Sequence, residues 1–240
     1  MKLLRIAGNL LWPPRCVFCG KFLPITVAQD ACYCPECAQR LRPQEQMSCG
    51  VCSTEMVPLA RHLYCPKCEP KVLHIDGLAA SFYYDDDVQQ SVLRYKFHKR
   101  SGYLKTYAVF MAETFYNTPK FFECTCVCAV PDWKWDVFFA GESRSRNLCS
   151  AFHKLVALPR LDDVLIKQRK TGKQKKLSAK ERLKNVAGAY AVTDPDRVKG
   201  QIVLLLDDVY TTGATTNECA KTLKKAGAKE VFVLTLAIRT

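Results

Sequence analysis

Four Cys-x-x-Cys pairs in the first 68 residues constrain this chain more than anything else in it: Cys16 with Cys19, Cys34 with Cys37, Cys49 with Cys52, and Cys65 with Cys68. A two-residue spacer lets both thiolates of a pair turn onto one cation, and two pairs complete a tetrahedral four-sulfur shell. Fourteen residues separate the first two pairs and twelve the last two, enough for one small hairpin each. A shell filled by four thiolates has no open position, so the expected zinc is structural, two ions in all. Redox chemistry is the alternative, but no strand–helix–strand pattern surrounds these pairs, as a thioredoxin-like site would require. A module of this kind folds around its metals because it has little apolar core of its own.

The remaining cysteines read differently. Cys32 is surplus to the knuckles and is expected as a small apolar residue, and His62 as solvent-exposed because the second shell is already full. Cys124, Cys126 and Cys128 alternate along an expected strand over residues 124–130 and share one face, roughly 6.6 Å apart. Thiolates sharing a zinc sit about 3.8 Å apart, given a Zn–S bond near 2.3 Å. They are therefore expected as buried sheet residues.

With 240 residues, 48% hydrophobic and 25% charged, the chain has the composition of a globular protein and the length for two modest domains. No window approaches 18 consecutive apolar residues, so no spanning helix is expected. Arg5 and Asn9 interrupt the apolar N-terminus and no small-residue cleavage site follows. A short amphipathic helix and a cytoplasmic protein are the expectation, and there 14 cysteines, nine of them before residue 69, speak for metal rather than disulfides.

The texture changes near residue 75, which puts the expected domains at 1–74, helix and zinc ribbons, and 75–240. Beyond that point strands are expected over 77–84, 124–130, 164–166, 202–206 and 230–238. Helices are expected over 88–96, 103–116, 145–158 and 214–226, the last stopped by Gly227. Alternating strands and helices imply an α/β fold with a mainly parallel sheet.

The most informative stretch is Val203-Leu-Leu-Leu-Asp207-Asp208-Val209-Tyr210-Thr211-Thr212-Gly213-Ala214-Thr215. A buried strand delivers two adjacent carboxylates to the C-terminal edge of the sheet, where ligands bind in open α/β folds. A hydroxyl-rich turn with one glycine then feeds a helix N-terminus, whose free N–H groups and dipole favour a phosphate. Thr211, Thr212 and Thr215 offer hydroxyls, Gly213 permits close backbone approach, and the carboxylates would bond vicinal hydroxyls of a ribose. The stretch reads as a ribose-5-phosphate cradle. It is not a P-loop, since G-x-x-x-x-G-K-[ST] is missing, and no two of the 11 glycines stand two apart, so G-x-G-x-x-G is missing too.

Of the formal charge of +13, a local excess of +8 lies in residues 167–184, nine Lys or Arg against Glu181 alone. This marks an anion site, a nucleic-acid contact or a solvated loop. Gly172 and the lack of an apolar period predict a mobile loop over 167–176. Residues 177–186 read as more ordered, with Ser178 and Glu181 placed as a capping box.

The 203–215 stretch resembles the phosphoribosyl-pyrophosphate (PRPP) motif of type I phosphoribosyltransferases, and nearly the whole chain resembles the ComF/GntX family, in which a Cys-rich zinc module precedes such a domain. Leu11-Trp-Pro-Pro-Arg-Cys16-Val-Phe-Cys19-Gly is similar to that family's opening knuckle. Leu93-Arg-Tyr95-Lys96-Phe97 and Gln174-x-x-Leu177-Ser178-x-x-Glu181-Arg182-x-x-Asn185-Val186-x-Gly188-Ala189-Tyr190 are similar to two further segments. Val130-Pro131 lies where the family has its pyrophosphate loop. The family's Arg-Gly-Phe-Asn-Gln, however, stands here as Arg144-Ser145-Arg146-Asn147-Leu148, keeping the Arg and Asn and losing the rest.

The resemblance implies PRPP with Mg²⁺ as donor and a nitrogen nucleophile as acceptor. Asp207 and Asp208 would hold the ribose and face its oxocarbenium charge, and Thr211, Thr212, Gly213, Ala214 and Thr215 would hold the phosphate, with Val130 and Pro131 beside it. Lys96 is either a partner of the pyrophosphate or a snorkelling surface lysine; Trp133 and Tyr210 either stack on an acceptor or pack in the core. The family's association with competence for DNA uptake implies a second function. Lys167, Arg169, Lys170, Lys173, Lys175 and Lys176 could neutralise backbone phosphates, and the last four, with the zinc ribbons, would contact single-stranded DNA. A third is an adaptor that docks a competence helicase or other DNA-processing protein.

Overall fold

The computed structural model describes residues 13–25, 32–41, 43, 74–98, 101–161, 163–172 and 179–239. A short helix, α1 (Pro35–Arg40), starts directly on the Cys34 knuckle with proline in its first turn, where a fixed φ and a missing N–H cost nothing. Next come β1 (Gly77–Tyr83), α2 (Asp86–His98), α3 (Ser101–Tyr116), a 3-10 turn (Pro119–Glu123) and β2 (Cys126–Ala129). They are followed by α4 (Lys134–Ala140), α5 (Arg144–Val156), β3 (Leu165–Lys167), α6 (Ala179–Val186) and β4 (Tyr190–Val192). The chain continues into β5 (Ile202–Tyr210), α7 (Ala214–Lys225) and β6 (Glu230–Ile238).

Strands β1, β6, β5 and β2 lie side by side in that order, all parallel, and β3 pairs antiparallel with β4 outside this sheet. The fold is α/β with a mainly parallel sheet, and a Cys-rich ribbon precedes it. Alternate residues of β5 enter opposite cores: Ile202, Leu204 and Leu206 on one face, Val203 and Leu205 on the other. Helices α3 and α5 pack on the first face, through Met111, Phe115 and Phe152, and α7 on the second, through Cys219 and Leu223. A strand covered on both faces needs an apolar residue at every position. Each such side chain contributes roughly 1.5–3 kcal/mol on burial. That burial anchors the strand end that carries the carboxylates.

The first ribbon shares this core instead of standing apart from it. Phe18 packs against Phe82 of β1 and Phe110 of α3, with ring centroids 6.0 and 6.1 Å away. The Cys32 amide donates to Thr106 Oγ1 (3.0 Å), and Arg94 of α2 donates to the Phe18 carbonyl. Cys32 is buried, as expected of a small apolar residue.

Several boundaries differ from the sequence expectation. The strand expected over 124–130 is confined to Cys126–Ala129. Cys124 sits at the end of the 3-10 turn and packs in the opposite core from Cys126 and Cys128, so the three do not share a face. The strand expected over 202–206 runs on to Tyr210, because β6 continues beside it and pairs Asp207 with Thr235 and Val209 with Ala237. The loop expected over 167–176 is not one at its start, where Lys167 belongs to β3 and Asn185 binds both the N–H and the carbonyl of Gly172 (2.8 and 3.0 Å). Arg169 also donates to the carbonyls of Asn185 and Ala187. Helix α4 had no counterpart in the sequence reading. Cys49, Cys52, His62, Cys65, Cys68, Lys173, Lys175, Lys176, Ser178 and the N-terminal helix lie outside the described residues. No helix among the described residues is long and apolar enough to cross a membrane.

Candidate functional site

The cradle begins where β5 ends. Asp207 and Asp208 stand in the last paired stretch before β5 ends at Tyr210, each accepting the backbone N–H of the next residue (2.9 and 2.8 Å). Gly213, at φ 68°, caps α7 and has no side chain to occupy the first-turn N–H groups. Glycine is required there for a second reason: a Cβ would lie 2.1 Å from the Tyr210 hydroxyl. The Tyr210 side chain is buried against the turn and also borders the cavity above it.

A cavity of about 240 Å³ opens over this turn, and Val130, Pro131, Asp207, Thr211, Thr212, Gly213, Ala214 and Thr215 all stand on its wall. Asp208 lines an adjoining hollow of about 190 Å³ with Tyr95, Arg144 and Ser145; Val130, Asp132 and Asp207 border both. Lys96 follows Tyr95 on α2, and its side chain lies outside the described residues. Of the candidate DNA contacts, Lys170 is described and is exposed.

Four residues that the sequence reading did not assign to this site belong to it. Lys167 reaches the cavity from β3 with its Nζ 5.7 Å from the Tyr190 ring centroid. Burial lowers its pKa, opposed chiefly by the carboxylate of Asp132. Burial also holds the Tyr190 hydroxyl above the usual tyrosine range, and the Cys219 thiol under Asp207 well above the usual thiol range. Asp132 projects between the two hollows, with Oδ2 accepting from the hydroxyls of Ser143 (2.8 Å) and Ser145 (3.1 Å). Arg182 of α6 donates to Thr211 Oγ1 (3.3 Å) and fastens the basic segment to the cradle. In the sequence Lys167 reads as a nucleic-acid contact in a basic run, Arg182 and Tyr190 as parts of one matching segment, and Asp132 as the residue after the Val-Pro loop; none of these signals places its side chain at the cradle.

The metal centre of the first ribbon is assembled. Cys16, Cys19, Cys34 and Cys37 bring their Sγ atoms within 4.8 Å of one another, and Cys19 and Cys34 are 3.7 Å apart, the spacing of thiolates on a shared zinc. Gly20, at φ 79°, turns the first knuckle, with its N–H bonded to the Cys16 carbonyl (2.9 Å). Arg40 donates to Cys37 Sγ (3.3 Å) and, through Nε, to Asp87 on α2 (2.8 Å). Such an outer partner fixes a ligand's orientation.

Two family models match the chain: the double zinc ribbon domain over residues 7–69 and the phosphoribosyl transferase domain over residues 130–239. The chain is similar to Competence protein F of Haemophilus influenzae, 25% identical over 93% of this chain and 96% of that one. It is also similar to Competence protein ComFC of Streptococcus pneumoniae, 25% identical over 92% and 99% of the two chains. DNA utilization protein YhgH of Escherichia coli K12 is 26% identical over 83% and 87%.

Proposed function

Because the chain belongs to the ComF/GntX family, a double zinc ribbon followed by a phosphoribosyltransferase domain, we propose that its cleft binds PRPP with Mg²⁺ and that the protein serves DNA uptake. The observation that carries the PRPP reading is the juxtaposition at the end of β5. Two carboxylates stand one turn away from an α7 N-terminus whose cap has no side chain.

In this reading the 5-phosphate accepts from the first-turn N–H groups of α7 and from the threonine hydroxyls of the turn. Asp207 and Asp208 accept from the ribose hydroxyls and face the positive charge that develops at C1 as pyrophosphate leaves and a nitrogen nucleophile attacks. Lys167 and Arg144 line the two hollows and supply cationic partners for the departing anion, and Lys96 is proposed as a third. An anion passing Asp132, Asp207 and Asp208 meets three carboxylates. Mg²⁺, which favours phosphate oxygens and few protein ligands, would supply the neutralising charge.

A second reading, a binding protein or adaptor that has kept the PRPP fold without turnover, is favoured by Asp132 and by the missing Gly-Phe and Gln after Arg144. In both readings Lys170, Lys173, Lys175 and Lys176 supply phosphate contacts for single-stranded DNA, and a competence helicase or other DNA-processing protein is the expected macromolecular partner.

PRPP with Mg²⁺ should raise the melting temperature, as a ligand of the native state must. Asp207→Asn with Asp208→Asn should abolish that shift and leave the melting temperature without ligand nearly unchanged. A full shift in the double variant would overturn the ribose assignment. Turnover of PRPP against a panel of bases separates the transferase from the binding reading. The ribbons are proposed to hold two zinc ions, the second on Cys49, Cys52, Cys65 and Cys68. Metal analysis should return two per chain, and one or none would refute the pairing.

A further inference from the structure

We propose that Trp135, Phe138 and Phe139 form a ledge on which the bases of single-stranded nucleic acid stack, at the rim of the cleft. These residues stand at i, i+3 and i+4 on α4, so they share one helix face. A stripe with that spacing normally faces a core. Here it faces solvent, with 51, 71 and 82% of each residue exposed. The rings pack edge to face, Trp135 to Phe138 at 6.0 Å and Phe138 to Phe139 at 5.6 Å between centroids. That arrangement leaves flat ring surface open to a further planar group.

Charge and position together choose the occupant. Lys134 lies with its Nζ 5.8 Å from the Trp135 ring centroid. Trp133, the residue before α4, pairs with Lys167, and beyond Lys167 the chain runs through Arg169 and Lys170 into the most basic segment of the protein. Arg144, four residues after α4, lines the second hollow. Of the nearby acids, Asp132 is held by two serines and Glu142 accepts from Asn147 (2.8 Å); Asp136 is the one acid on α4 itself. Aromatic faces beside a cationic track are how proteins grip single strands without reading sequence. A duplex hides its base faces and would not use such a ledge. The ledge also continues, through Val130–Trp133, from a cavity shaped for a sugar phosphate. The polymer suited to both is one built of sugar phosphates and bases.

The proposal rests on the DNA-handling reading above, and its test separates the two. Binding of an oligothymidylate and of an abasic oligonucleotide of equal length is measured by fluorescence anisotropy. The native chain should prefer the oligothymidylate. Trp135→Ala with Phe138→Ala and Phe139→Ala should weaken oligothymidylate binding at least tenfold and leave abasic binding unchanged. The milder Phe138→Leu with Phe139→Leu keeps the apolar surface, removes two rings, and should show the same direction of change. Both variants should keep the PRPP-dependent melting shift. Equal affinity of the native chain for the two oligonucleotides would overturn the ledge and leave the DNA reading standing, and no binding to either would overturn both. A native dimer that the triple variant converts to monomer, with DNA affinity intact, would assign the ledge to a second copy of the chain and also overturn the proposal.

Discussion

The two walls of the cleft are built on different principles. The wall made by the end of β5 and the start of α7 is one contiguous stretch of chain, and Thr211, Thr212, Gly213, Ala214 and Thr215 all line the cavity above it. The opposite wall is assembled from the loop over residues 130–132 and the start of α5, residues 144–148, which α4 separates in the chain. There Arg144 reaches the site, but Asn147 is turned away to bond Glu142, and Asp132 occupies the middle. A phosphate site made of backbone N–H groups tolerates change in most side chains around it. A wall made of side chains does not, and this one carries Ser145-Arg146-Asn147-Leu148 after Arg144.

The largest effect should come from breaking the contiguous wall at its one irreplaceable residue. Gly213→Ala places a Cβ 2.1 Å from the Tyr210 hydroxyl at a residue with φ 68°. The left-handed backbone costs roughly 1–2 kcal/mol, and overpacking typically adds about 1–3 kcal/mol. A drop in melting temperature of many degrees and loss of PRPP response are expected together. Tyr210→Ala in the same chain should recover part of the stability. If Gly213→Ala melts like the native chain, the turn is not built as described.

The same contrast explains what could be read in advance. The knuckles, the apolar run Ile202–Leu206 and the carboxylates after it are patterns carried by neighbouring residues, and among the described residues the first two knuckles, the strand and its carboxylates stand where those patterns put them. The position of Asp132 depends on Ser143 and Ser145, 11 and 13 residues away, and no period in the sequence carries that pairing. Strand β3 has three residues, too few for alternation to reveal that Lys167 faces a cavity and not solvent. Helix α4 escaped because its aromatic stripe, the usual mark of a buried face, points outward. The first ribbon was legible as a metal site, while its packing through Phe18 into the main core was not, because a single aromatic carries no address.

A smaller effect would sharpen what the altered wall does. If Asp132 faces the incoming anion, Asp132→Ala should tighten metal-free pyrophosphate binding roughly tenfold, about 1.4 kcal/mol, measured calorimetrically with a chelator present. Saturating Mg²⁺ should shrink the difference, since the cation neutralises what the carboxylate opposes. Equal metal-free affinity in the two chains would show that Asp132 only ties the loop to α5.

The smallest effect concerns Lys167, which joins the walls. Burial disfavours its charged form, so its pKa lies below the ordinary lysine value, against the pull of Asp132, Asp136 and Asp207. A bound anion favours the charged form. Below the lowered pKa the ammonium is already present and affinity is full. As pH rises through that pKa, binding must take up a proton, and affinity falls by up to about tenfold per pH unit. The fall should therefore begin below the usual lysine range of about 10.4. The phosphates of the ligand complete their ionisation near pH ~6 and are silent there. So are the Tyr190 hydroxyl and Cys219 thiol, both shifted upward by burial. Lys167→Arg keeps its charge throughout this range and should flatten the profile, as read from PRPP titrations carried up to the ordinary lysine pKa of about 10.4. Parallel profiles in the two chains would mean that Lys167 does not meet the anion, and that the pyrophosphate side of the cleft is held by Arg144 and its neighbours on α5.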